Sequence, residues 1–242
     1  MLRLVFVAVF LILYLILGIP VLCAEWLIAK RFPYAADISQ LRMVQWGFKC
    51  ILALAGVKLT VSGEEHIPKD TAVLYIGNHR SFFDIVITYS RCPGLTGYVA
   101  KDSMLKVPLL SVWMKRLHCL FLNRDNVKEG LKTILTGIDQ IKHGISICIF
   151  PEGTRAKGED ETQLLPFKEG SMKMASKTGC PVIPMAITGS ADIFENHFPW
   201  IRPADVKLTY GEPIYPGELS RDDQKHLGSY TREKIINLLE HI

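Results

Sequence analysis

The sequence has no C-x-x-C pair and no histidine spacing that builds a zinc site, so its six cysteines (Cys23, Cys50, Cys92, Cys119, Cys148 and Cys180) predict no metal centre. Several of them lie in apolar runs such as ISICIF, where a thiol behaves as a small core hydrophobe. A buried, reduced set of this kind is expected of the cytoplasmic side of a membrane. A G-x-S-x-G elbow is also missing, and no cysteine stands beside a histidine as a nucleophile would, so a covalent enzyme intermediate is not indicated. The 28 lysines and arginines against 24 acidic residues give a net charge of +4 without a concentrated basic stripe. That balance argues poorly for nucleic acid and better for an anionic membrane surface. Internal repeats and low-complexity linkers are absent too, and 242 residues suit one α/β body with a modest appendage.

What is present begins with an apolar run over residues 4–24 that carries no charge and is long enough to cross a bilayer's hydrocarbon core. Its ending, LGIPVLCAEW, lacks the small-x-small pattern of a cleaved signal, and Leu22 before Cys23 spoils a lipoprotein-type site. Lys30 and Arg31 follow it while only Arg3 precedes it, which predicts a cell-membrane protein whose body lies on the cytoplasmic side. Gly18 and Pro20 leave open whether the helix spans the bilayer or dips into one leaflet. Residues 37–55 form a second, amphipathic helix, with Arg42, Gln45 and Lys49 on one face and Ile38, Leu41, Val44, Phe48, Ile51 and Leu52 on the other. It either packs on the body or lies in the headgroup layer with Trp46 at the interface.

After Gly56 the texture changes to short β-rich runs (VKLTV, AVLYIG, TGYVA, CLFL, ISICIF, PVIPMAI and VKLTY) alternating with helical patterns. This predicts an α/β fold, a three-layer sandwich with a central mixed sheet flanked by helices. The expected division is residues 1–56 as membrane-associated helices and 57–242 as the catalytic domain. Within the second part, residues 126–143 read as a body helix with Val127, Leu131, Ile134, Leu135, Ile138 and Ile141 on one side. A last helix is expected over 230–242, and KGEDET at 157–162 as an exposed loop.

Two motifs follow buried strands. Asn78-His79-Arg80-Ser81-Phe82-Phe83-Asp84 comes directly after AVLYIG, where a strand gives way to a helix. A spacing of five keeps His79 and Asp84 off a common helical face, so they meet only if His79 sits in the turn and Asp84 in the helix. The carboxylate then holds one imidazole nitrogen protonated and leaves the other to accept a proton. The alternative is a solvent-facing histidine with Asp84 capping the helix. Ser81 reads as a helix-start residue. Phe150-Pro151-Glu152-Gly153-Thr154-Arg155 follows ISICIF. Gly153 permits a tight turn, and the arginine suits a phosphate unless it merely pairs with Glu152.

Taken together, the two motifs resemble the N-H-x-x-x-x-D and F-P-E-G-T-R elements of the glycerolipid acyltransferase family, in particular its PlsC-type lysophosphatidic acid acyltransferases. The similarity covers about residues 63–213, and the N-terminal pair of hydrophobic helices resembles bacterial members. The resemblance implies that His79 is the general base, Asp84 its orienting partner, and Arg155 a holder of the acceptor's phosphate, with Glu152, Gly153 and Thr154 as the supporting acceptor-binding motif. Lys101 in Val99-Ala100-Lys101 resembles the family's second phosphate contact. Phe121-Leu122-Asn123-Arg124 resembles the family's I-F-I-D-R with asparagine in place of the acid, and implies that Arg124 is a third. Val182-Ile183-Pro184-Met185 resembles the fourth block, which either shapes an acyl-chain channel or is a plain core strand.

The implied reaction transfers a fatty acyl group from acyl-CoA or acyl carrier protein to the sn-2 hydroxyl of lysophosphatidic acid, giving phosphatidic acid without a metal or other cofactor. Backbone N–H groups near Gly153 or at the His79 turn are expected to meet the oxyanion. Glycerol 3-phosphate or another lysolipid as acceptor is the alternative within the enzyme class. A non-catalytic membrane lipid-binding protein is the alternative outside it.

Overall fold

The computed structural model describes residues 2–123 and 126–242. All seven apolar runs expected as strands pair into one sheet: β1 (Lys58–Ser62), β2 (Leu74–Gly77), β3 (Thr96–Lys101), β4 (Leu120–Leu122), β5 (Ser146–Ile149), β6 (Val182–Thr188) and β7 (Asp205–Tyr210). Their order is β1-β7-β6-β2-β5-β3-β4. From β6 to β4 the strands are parallel, whereas β7 runs against β6 and carries β1 parallel to itself. The sheet is therefore mixed, as expected.

Alternation along the central strands sorts their side chains into two cores. Tyr75, Cys148, Ile183, Met185 and Ile187 face one, together with Leu41, Val44, Ile51 and Leu52 of α2 (Pro33–Ala55) and Phe83 and Ile87 of α3 (Phe83–Tyr89). Trp113 of α4 (Leu110–Arg116) completes that layer. Leu74, Ile76, Ile147, Ile149, Val182 and Ala186 face the other. There they meet α5 (Val127–Lys142), α6 (Lys173–Thr178) and α8 (Leu227–Glu240), the last preceded by the single turn α7 (Arg221–Lys225).

The first helix, α1 (Leu2–Ala29), is continuous through Pro20 and lies antiparallel along α2. Arg3 donates to the Leu54 carbonyl at one end (3.0 Å), and Ser39 donates to Glu25 at the other (2.7 Å). Small residues allow the close approach: a Cβ on Gly47 would sit 2.8 Å from the Tyr14 ring, and one on Gly18 would sit 2.9 Å from Trp113. The outward side of α1 is left apolar and exposed, including Phe6, Leu13 and Leu17.

Two helices differ from the sequence expectation. Gln45 of α2 is buried, not on the polar face; its amide donates to the carbonyls of Tyr89 (3.2 Å) and Cys92 (2.7 Å), the end of α3 supplying partners that periodicity cannot reveal. On α5, Ile141 is buried and Ile134 and Ile138 pack against the core, but Val127, Leu131 and Leu135 are exposed. The body covers only part of that apolar stripe. The start of α5 is as expected, with Asn126 accepting from the Lys128 and Glu129 amides.

Gly97 on β3 lies under the backbone of His118, and a Cβ there would come 2.3 Å from the His118 carbonyl oxygen. Gly97→Ala is expected to lower stability by about 1–3 kcal/mol through overpacking, which denaturant unfolding would measure.

Candidate active site

Four neighbouring parallel strands, β2, β5, β3 and β4, end on one rim of the sheet, the side where α/β folds gather functional groups. β2 is buried along its whole length and ends at Gly77. Asn78 then takes over the pairing with its side chain: its amide nitrogen donates to the Ile187 carbonyl (2.8 Å), and its amide oxygen accepts from the Ile187 N–H (2.9 Å). His79 follows in the turn, and Asp84 lies in the first turn of α3, the arrangement that a spacing of five demands.

His79 Nδ1 is 2.8 Å from Asp84 Oδ2. That oxygen also accepts the backbone N–H groups of Arg80 (2.7 Å) and Ser81 (2.8 Å). An oxygen holding two N–H donors is acting as a carboxylate acceptor, so Nδ1 carries a proton, and in the neutral imidazole Nε2 is then the bare nitrogen. Asp84 is fully buried and the His79 side chain only 16% exposed, so this bond is shielded from competing water. Phe150, just past β5, stacks on the imidazole at 4.5 Å between ring centroids and 19° between planes. Ser81 is buried, its hydroxyl accepting the Phe83 N–H (3.0 Å) at the start of α3, the helix-start role expected of it.

Glu152 turns inward. Its two oxygens accept the backbone N–H groups of His79 (2.8 Å) and Leu165 (2.9 Å), tying the second motif to the first. Burial pushes its carboxyl up, and those two hydrogen bonds oppose the shift. The alternative pairing of Glu152 with Arg155 is not what forms. Arg155 Nη1 donates to Glu195 at 2.8 Å, and its guanidinium lies 3.8 Å from the ring centroid of Phe82. Gly153 takes a left-handed φ of 74° and closes the turn by donating to the Phe150 carbonyl, while Thr154 is exposed.

Of the backbone N–H groups near Gly153 and at the His79 turn that are expected to meet the oxyanion, five already have acceptors. The N–H of Gly153 is spent within its turn, and those of His79, Arg80, Ser81 and Phe82 are all given to carboxylates, the last to Glu195 at 2.9 Å.

Lys101 ends β3 on the same rim, opposite Leu122 of β4, and is exposed. Arg124 lies outside the described residues. Val182 and Ile183 are wholly buried within β6 and face opposite cores, whereas Pro184 lines a cleft of about 580 Å³ bounded by Gly211, Ile214, Tyr230 and Leu238. Among the described residues, no group of three or more His, Cys, Asp or Glu side chains is placed to hold a metal ion.

Two residues escaped sequence reasoning. Arg80 is buried, and its guanidinium donates to the carbonyls of Asp160 (3.1 Å) and Gly158, holding down the exposed loop at 157–160. Its place inside the first motif was the available signal. Glu195 lies on a 3-10 turn, Glu195–His197, that carries no pattern at all.

Removing the Glu152 carboxylate strands two backbone amides. Glu152→Ala is expected to cost about 2–4 kcal/mol in unfolding free energy, and Glu152→Gln, which keeps one acceptor oxygen, about half as much; chemical denaturation of the three proteins would measure both.

The family model described as Acyltransferase matches residues 58–188. A 1-acyl-sn-glycerol-3-phosphate acyltransferase of Borreliella burgdorferi is 33% identical over 202 residues, covering 83% of this chain and 79% of that protein. One of Saccharomyces cerevisiae is 25% identical over 220 residues, covering 90% and 67%. The crystal structure of the 1-acyl-sn-glycerophosphate (LPA) acyltransferase PlsC from Thermotoga maritima superposes with a TM-score of 0.85 at 26% identity, covering 99% of this chain and 94% of that one.

Proposed function

This chain belongs to the Acyltransferase family and is an acyltransferase of the lysophosphatidic acid type, and from that premise we propose that it moves an acyl group from a CoA or acyl carrier protein thioester to the sn-2 hydroxyl of lysophosphatidic acid. The observation that carries the reading is the 2.8 Å bond between His79 and a buried Asp84. It orients the imidazole with Nδ1 toward the acid, which leaves Nε2 of the neutral ring to accept a proton, in a turn on the same rim as Arg155 and Lys101.

His79 Nε2 takes the proton of the acceptor hydroxyl as its oxygen attacks the thioester carbonyl carbon. The new C–O bond forms, the tetrahedral centre collapses with cleavage of the C–S bond, and His79 returns the proton to the departing thiolate. Asp84 stabilises the imidazolium in between. Arg155 and Lys101, with Arg124 beyond the described residues, hold the acceptor's phosphate and so place its hydroxyl. The donor's thiol takes no part in positioning the acceptor, so CoA and carrier protein both satisfy the chemistry.

The protein works at a membrane surface on the cytoplasmic side of the cell membrane. α1 is the one helix among the described residues long and apolar enough to cross a bilayer. Because α2 runs beside it for its whole length and exposes Arg42 and Lys49, a shallow seat in one leaflet satisfies both helices better than a span. Trp26, Phe32 and Tyr34 are exposed beside Lys30 and Arg31 at the turn between the helices, a grouping suited to headgroups.

His79→Ala is expected to lower kcat by about 10²–10⁴-fold while lysophosphatidate still binds. Assays crossing acyl-CoA and acyl carrier protein donors with lysophosphatidate and glycerol 3-phosphate would check it. Retention of more than about a tenth of wild-type turnover exceeds what loss of a general base allows and sinks the assignment.

The double substitution Leu13→Lys, Leu17→Lys, on the exposed face of α1, is expected to reduce partition onto anionic vesicles at least tenfold, since each leucine buried in lipid contributes about 1.5–3 kcal/mol. Unchanged co-sedimentation with vesicles would place the membrane contact elsewhere.

A further inference from the structure

Glu195 is joined to both halves of the site although neither motif contains it. Its Oε2 accepts from the Ser81 hydroxyl at 2.5 Å; its Oε1 accepts from the Phe82 N–H at 2.9 Å and from Arg155 Nη1 at 2.8 Å. The carboxylate is mostly buried, with 19% of its side chain exposed, and Phe82 covers the guanidinium from one side at 3.8 Å. One side chain, 40 residues beyond Arg155 and 114 beyond Ser81, thus bridges the turn that carries His79 and the arginine assigned to phosphate.

A carboxylate beside an anion-binding arginine weakens its attraction for phosphate, so tighter binding by charge cannot be what Glu195 supplies. What it supplies is geometry. An arginine side chain with several free torsions loses much of its rotamer entropy when it engages a ligand, and a clamp on Nη1 together with the Phe82 face removes that freedom beforehand. The clamp occupies one nitrogen of the fork and leaves the Nε and Nη2 edge for a bidentate partner. The same carboxylate holds the Ser81–Phe82 backbone, so the distance between the base and the phosphate contact is set by one group.

We propose that Glu195 is a positioning residue, which orients Arg155 toward the acceptor's phosphate and fixes its separation from His79. The proposal rests on the assignment of Arg155 to phosphate made above.

The test is steady-state kinetics of the full chain on vesicles containing lysophosphatidate, with Glu195→Ala, Glu195→Asp, Glu195→Gln, Arg155→Ala and the Arg155→Ala, Glu195→Ala double variant, each checked by thermal unfolding. Glu195→Ala is expected to raise the acceptor KM about tenfold with the donor KM unchanged. Glu195→Asp, one methylene too short to reach, follows it and serves if the alanine variant does not fold. Glu195→Gln keeps an oxygen for Phe82 and Arg155 and an amide that donates to the Ser81 hydroxyl, so it is expected to restore most of the acceptor KM. In the double variant, Glu195→Ala is expected to add little to the KM of Arg155→Ala. An unchanged acceptor KM in both Glu195→Ala and Glu195→Asp, or a rise fully additive with Arg155→Ala, overturns the proposal while the phosphate assignment stands. If Arg155→Ala itself leaves the acceptor KM unchanged, the phosphate assignment falls and the proposal falls with it.

Discussion

A single carboxylate oxygen organises the site. Asp84 Oδ2 receives the imidazole N–H of His79 and the backbone N–H groups of Arg80 and Ser81, so it shapes the turn and selects the histidine tautomer at once. The two tasks need the same ionised state, and burial without those donors would be prohibitive for the charge. The turn exists because the acid is there, and the acid is tolerated because the turn points its amides inward. Glu152 repeats the device one strand over, with His79 and Leu165 as its donors. The two motifs are thereby locked through backbone as well as side chains, and the sheet register that sets β2 beside β5 brings them within reach.

Much of this was legible in the sequence. Each strand is short, β-rich and flanked by turn residues, so the seven runs stood out and each motif could be set directly after a strand, while the parallel pairing of β2 with β5 that puts both on one edge comes from the fold. Spacing permitted the pairing of His79 with Asp84 and the family resemblance implied it, while a helix-capping Asp84 stayed open until the 2.8 Å contact between them. Glu195 was invisible because its role arises from a 3-10 turn far along the chain folding back over α3, and nothing local marks an acid that will meet an arginine 40 residues away. Gln45 misled for the converse reason: a polar residue reads as solvent-facing until tertiary structure presents it with two free carbonyls. On α5, periodicity reported the apolar stripe correctly but not how much of it the body covers, leaving Val127, Leu131 and Leu135 outside.

The N-terminal helices combine two kinds of packing. Where α1 meets α2 and α4, glycines admit aromatic rings, and Phe10, Tyr14, Trp46 and Trp113 cluster at centroid distances near 6 Å. On the far side the same helix presents exposed aliphatic residues, Leu13 and Leu17 among them. One surface is specific and the other is generic, a division that suits the membrane seat proposed for this helix.

Asn78 carries a consequence of its own. Its amide gives its nitrogen and its oxygen to the two backbone groups of one residue, Ile187, just where β2 stops making strand hydrogen bonds. Aspartate would repel the carbonyl, leucine would satisfy neither group, and glutamine would carry the amide one methylene too far. A buried position whose amide is spent on backbone is therefore hard to replace, and selection acting on it would answer first to the geometry of two strands.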